Sequence, residues 1–196
     1  MRLWTTMAKT VYDQTLGKHE SYTCKTEKCD MLNFDGPTGQ YHKAYNWLVY
    51  EMTKRIGPAP NGITYPVWAW HTVRGLHKRP NLHWNEFRNA PEPMVLIELE
   101  VDDDKVVLTD EEIWTCGQLN DAPCFMDAPD EQLDAELEWY YENTDIPQSE
   151  KEKFKMSTWS RIFNTEKSEH IQATFWELKP ENVKKVWYYN KKKNIK

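Results

Sequence analysis

Ala44, Leu48 and Met52 recur every four residues, and Tyr45, Trp47 and Ile56 widen the stripe, which is the spacing of one helix face. Lys54 and Arg55 fall in the last turn of that helix, Gly57 follows, and Pro58 and Pro60 stand beyond. Cations suit the carbonyl end, glycine suits the cap, and proline cannot continue the helix. Elsewhere the period is two. RLWTTM reads as a strand with Trp4 on one face. In YPVWAWHT, Val67, Ala69 and His71 alternate with Trp68, Trp70 and Thr72, so both faces of that strand are covered. In MVLIELEV, Val95, Ile97, Leu99 and Val101 point inward while Glu98 and Glu100 point outward; DDDK then turns the chain into VVL.

Thr109 and Glu112 have the spacing of a capping box ahead of Ile113 and Trp114. PDEQLDAELEWYYEN predicts a helix opening at Pro129, with Leu133, Leu137 and Tyr140 or Tyr141 on its buried stripe, and a second helix is expected over 148–163. IQATFWEL, Ile171 to Leu178, alternates again until Pro180 breaks it, and VKKVWYY adds a last strand. Strands at both ends and helices between them predict an α+β fold. We expect a single domain over residues 1–190 with a mixed or antiparallel sheet and flanking helices, followed by a lysine-rich tail at 191–196.

At 196 residues, 39% of them hydrophobic and 13% aromatic, the chain has enough apolar surface for one sizeable core. Ten tryptophans each bring a large ring and an N–H that needs a partner. No run approaches a membrane span, and MRLWTTMAKT lacks the apolar stretch of a signal peptide, so the expected setting is cytoplasmic with no membrane partner. The pairs Cys24/Cys29 and Cys116/Cys124 are spaced too widely for a zinc knuckle and read as reduced thiols. His71, His77 and His83, six residues apart, share no face of a regular element, so no metal site is expected. Charge is segregated. Between Glu98 and Glu152 nineteen acids face two lysines, whereas Lys179–Lys196 holds seven lysines and one acid. The acidic 98–152 region suits a basic protein partner.

Two stretches carry candidate chemistry. The loop after YPVWAWHT gathers His77, Lys78, Arg79, His83, Trp84 and Arg88, basic groups interleaved with an aromatic, a composition that suits a phosphate or a stacked base. A nucleotide- or nucleic-acid-binding module without catalysis is one reading of it. In IQATFWEL, Gln172 shares a face with Thr174, Trp176 and Leu178, while Glu177 shares one with Ile171, Ala173 and Phe175. A polar side chain on an apolar strand either finds a partner or lines a cleft.

Together MRLWT, AYNWLVYEMTKRIGPAPNGITYPVWAW, VLIELEVDDDKVVLTDEEIW, WSRIF and IQATFWELKPENVKKV resemble a bacterial family of short proteins known as a domain of unknown function. The resemblance spans nearly the whole chain, Lys9–Gln40 matching least, and brings no activity with it. A strand with a polar, Thr-rich motif, a helix, and a late strand bearing Gln or Glu is more distantly similar to ADP-ribosyltransferase-like domains. That likeness implies an NAD-binding enzyme, with NAD as substrate and no other cofactor. Arg2 or Thr5 would touch the dinucleotide, and Trp70, His71 and Arg79 would line the cleft. Gln172 or Glu177 would act at the ribose as nicotinamide leaves.

Overall fold

The computed structural model describes residues 1–25, 32, 36, 38–84, 87, 92–125 and 128–189. Six strands form one sheet: β1 (Arg2–Ala8), β2 (Val67–Thr72), β3 (Met94–Glu100), β4 (Val107–Asp110), β5 (Ile171–Phe175) and β6 (Val183–Tyr189). Their order is β4-β5-β2-β1-β3-β6, and every neighbouring pair is antiparallel. The expected α+β class therefore holds, with the antiparallel alternative realised and the first and last strands in the same sheet. Around it lie helices α1 (Lys9–Gln14), α2 (Gln40–Ile56), α3 (Glu111–Ile113), α4 (Asp130–Leu137) and α5 (Gln148–Thr158). Short π-helical turns extend α3 and α4, and a 3-10 turn extends α5 to Phe163.

Strand alternation sends the side chains into two cores. On one face Leu3, Met7, Val67, Ala69, Val95, Ile97, Leu99, Ala173 and Phe175 form a cluster that also collects Leu108 from β4 and Val183 and Val186 from β6. Both edge strands therefore contribute to this one cluster. On the other face α2 lays Ala44, Tyr45, Leu48 and Met52 against Trp114, Trp159, Ile162 and Val107. Trp68 joins that second core, edge-on to Tyr45 and tilted against Trp114.

The sheet is nearly divided in two. Seven register pairs tie β1 to β3 and five tie β2 to β5, whereas β1 meets β2 at a single pair, Trp4 opposite Trp70. Two three-stranded halves, β4-β5-β2 and β1-β3-β6, thus meet at one backbone register pair, beside which the Thr5 hydroxyl bonds the Trp68 carbonyl.

Several local expectations are corrected. Strand β5 stops at Phe175 rather than Leu178, because Leu178 pairs its backbone with Tyr22 and Trp176 donates its indole N–H to the Gly57 carbonyl at 3.1 Å. His71 leaves the alternation of its strand: Trp70 lies opposite Gln172 but Thr72 opposite Ile171, so His71 is the extra residue of a β-bulge. Asp110, not Thr109, caps α3, its carboxylate accepting from the Ile113 N–H at 2.9 Å, since β4 runs on through Thr109. Helix α4 forms where expected but buries none of its residues fully; Leu133 and Leu137 stay half-buried on an acidic surface helix. Cys29, Arg88 and the 191–196 tail lie outside the described residues.

Candidate functional site

The register aligns one residue from each strand across the face that carries α2. Reading from β6 to β4, the row is Lys185, Glu98, Trp4, Trp70, Gln172 and Thr109. A row through a sheet covered on both sides ordinarily holds branched apolar residues. This one is polar and aromatic. Among the described residues, the buried side-chain atoms without a hydrogen-bond partner are Trp4 Nε1, Thr109 Oγ1, Gln172 Oε1 and Trp68 Nε1. The first three belong to this row, and Trp68 stands two residues from Trp70 on β2, pointing to the same side. Each such group costs stability on the order of 1–3 kcal/mol, a cost commonly concentrated at sites that meet a ligand.

The row crosses the point where the sheet divides. There the guanidinium of Arg2 lies 5.4 Å from the centre of the Trp4 ring, and His77 meets the same ring edge-on at 5.3 Å. His77 stacks against His71 with ring centres 4.0 Å apart, and its Nδ1–H donates to the His71 carbonyl at 2.7 Å, which fixes its tautomer. Burial, then the neighbouring His77, lowers the His71 pKa below the usual imidazole value and keeps the ring neutral. The bulge thus turns β2 outward at His71 and lets the loop after it fold back over Trp4.

Beyond Trp70 the row opens into a cavity of about 720 Å³ whose walls include Trp70, Asp110, Glu111, Glu112, Ser168 and His170. His170 stands edge-on to Trp70 at 6.3 Å. Asp110 is fixed twice, by the Ile113 N–H and by the Ser168 hydroxyl. The site therefore has a cationic end at Arg2 and an anionic end at Asp110–Glu112, with two indoles and an amide between them.

Of the residues singled out in the sequence, Arg2, Trp70, His71 and Gln172 come together here. Thr5 faces the opposite core with Leu3 and Met7, and its hydroxyl donates to the Trp68 carbonyl at 2.8 Å. Arg79 lies toward the β6 edge, 4.9 Å from the Trp187 ring centre. Glu177 stands past the other end of β5, five residues and roughly 15 Å of extended chain from Gln172. It lines a separate cavity with Glu100, Asp102 and Lys184, and its nearest cation is Lys179 at 3.8 Å. Sequence reasoning missed Trp4, Asp110, Ser168 and His170 as site residues. They meet only through long-range register, and no local spacing announces them.

The segregated acids are also partly answered from within. Lys43 and Lys155 both bond Asp121 at 2.8 Å and both reach Glu152, and Arg161 forks onto Glu136 at 2.5 and 2.8 Å. Among the described residues no group of three or more metal-ligating side chains converges, and no helix is long and apolar enough to cross a membrane.

The family model described as a domain of unknown function, DUF3841, matches residues 2–184. The chain belongs to that family. No curated protein and no solved structure matches it.

Proposed function

We propose that this DUF3841 chain is an ADP-ribosyltransferase-like protein that binds NAD where its sheet divides, at the row of Trp4, Trp70 and Gln172 and the cavity beside Trp70. The observation that carries this reading is the unpartnered polar row at the division, where β1, β2 and β5 lie side by side. An early strand and a late strand supply the dinucleotide contacts in the domains that the sequence resembles, and here those two strands flank β2.

Electrostatics orient the ligand. The pyrophosphate lies toward Arg2, whose guanidinium donates hydrogen bonds to its oxygens. The nicotinamide riboside lies toward Trp70 and Gln172, with a ring available for stacking and an amide available for the ribose hydroxyls. As the bond from ribose carbon to nicotinamide nitrogen stretches, positive charge develops on the ribose. Asp110, Glu111 and Glu112 on the cavity wall supply the opposing field. In this reading Gln172 positions the sugar rather than neutralising it, and Glu177 takes no part.

Thermal melting with NAD and with ADP-ribose tests the reading. A ligand that binds only the folded state raises the melting temperature by mass action, by about 2.7 kcal/mol of apparent stability at a hundredfold excess over Kd. Gln172→Leu removes an unpartnered acceptor, so its unliganded melting temperature should match or exceed that of the parent, while the NAD-dependent rise disappears. No rise with either ligand at millimolar concentration, or an equal rise in Gln172→Leu, would overturn it.

A further inference from the structure

A second groove, of about 530 Å³, runs between the segment Arg79–His83 and strands β3 and β6, lined by Arg79, Pro80, His83, Leu96, Trp187 and Tyr188. We propose that it binds the phosphodiester backbone and bases of a single-stranded nucleic acid, independently of the NAD reading.

The half-buried Trp187 ring is flanked by two cations, the Arg79 guanidinium at 4.9 Å and the Lys185 ammonium at 5.1 Å from its centre. A guanidinium held over an indole keeps its N–H edge free for phosphate oxygens. Lys78 precedes Arg79 on the same loop, and Lys185 shares a face of β6 with Trp187. Among the described residues, none of Lys78, Arg79 and Lys185 forms an ion pair with a carboxylate, although Glu98 lies opposite Lys185 in register. By contrast, Lys43, Lys54, Lys105, Lys155 and Arg161 each hold a carboxylate.

The three unneutralised cations spread over a strand and a loop instead of converging on one point. That arrangement fits successive phosphates better than a single phosphate group. The aromatic and apolar lining, with Trp187, Tyr188 and Leu96 beside His83, fits stacked bases and would do nothing for an acidic peptide. The remainder of a chain with net charge −6 repels a polyanion, which confines it to this edge.

Fluorescence anisotropy with a labelled fifteen-nucleotide oligothymidylate measures binding between about 50 and 300 mM salt. The expected result is saturable binding whose logarithmic salt dependence has a slope of about −0.7 for each phosphate neutralised. Arg79→Gln and Lys185→Gln, both at exposed side chains, should each weaken binding several-fold and flatten the slope by about that amount. Trp187→Phe should weaken binding without changing the slope, and Lys54→Gln on α2 should leave it unchanged. The absence of saturable binding at the lowest salt would overturn the proposal. So would parental affinity in Arg79→Gln and Lys185→Gln, equal binding of a duplex or of polyglutamate, or displacement by equimolar NAD.

Discussion

Gly117 shows how tightly single residues are specified around the second core. A methyl group added there would meet the sulfur of Cys124 at 2.2 Å, far inside contact distance. A cysteine side chain is too short to swing away, and this one is buried, with its backbone N–H held by Thr158 and its sulfur 3.8 Å from the Gln118 side chain. Gly117→Ala should therefore destabilise the protein by about 2 kcal/mol in urea melts, the range of an overpacked core. Adding Cys124→Ala should recover part of that loss, whereas strictly additive effects in the double variant would show that the two sites do not touch. The two thiols of the CGQLNDAPC stretch also differ in chemistry. Burial raises the Cys124 pKa to about 12, while Cys116 is exposed. The sequence treats these cysteines alike, because nothing in their spacing says which one faces the core.

Elements were legible where their boundaries are set locally. The end of α2 at Ile56 follows from Lys54, Arg55, Gly57 and the prolines, and the run from Gln148 to Phe163 follows from its own spacing. What escaped is whatever a neighbouring strand decides: the bulge at His71, the early end of β5, and the shift of the α3 cap from Thr109 to Asp110. Half of the site was legible for the same reason. Arg2, Trp70, His71 and Gln172 drew notice as polar or aromatic residues on apolar strands, but their alignment with Trp4 and Thr109 depends on partners up to 102 positions away in sequence. Contacts between elements also carry the pH response. Burial alone would raise the carboxyls of Asp121 and Glu152, but hydrogen bonds from Lys155 and Lys43 outweigh it and hold both below their ordinary values. A lowered folded-state pKa stabilises above the unfolded value and is lost as the pH falls through the folded one. The bridge joining α2, α5 and the turn at Asp121 should therefore weaken below about pH 4. Lys155 is almost fully buried whereas its two partners remain partly exposed. Lys155→Met should cost on the order of 2 kcal/mol at neutral pH and make the melting temperature less dependent on pH between about 2 and 5. A parallel acid profile in the variant would remove the bridge from the account.

For the molecule as a whole, the organising fact is a sheet of six strands that is continuous in order and almost interrupted in bonding. Each half has its own ladder, β1-β3-β6 on one side and β4-β5-β2 on the other, and both halves pack on the same core. The halves are thus held together mainly by side-chain burial, while the backbone joint between them is the single Trp4–Trp70 pair. Successive N–H groups of a strand point alternately to its two neighbours. Within β1, the amides directed at β3 should therefore exchange slowly with solvent deuterium, at rates approaching global unfolding. Those directed at β2 should exchange faster, through local opening at the joint. Residue-resolved exchange by NMR reads this alternation directly from Arg2 to Ala8. A ligand seated across the division would bind both halves at once and should slow the fast set while leaving the slow set unchanged. Uniform protection along β1 in the free protein would mean that the two halves open only together, and the cleft would lose the mechanical freedom that admitting a dinucleotide requires.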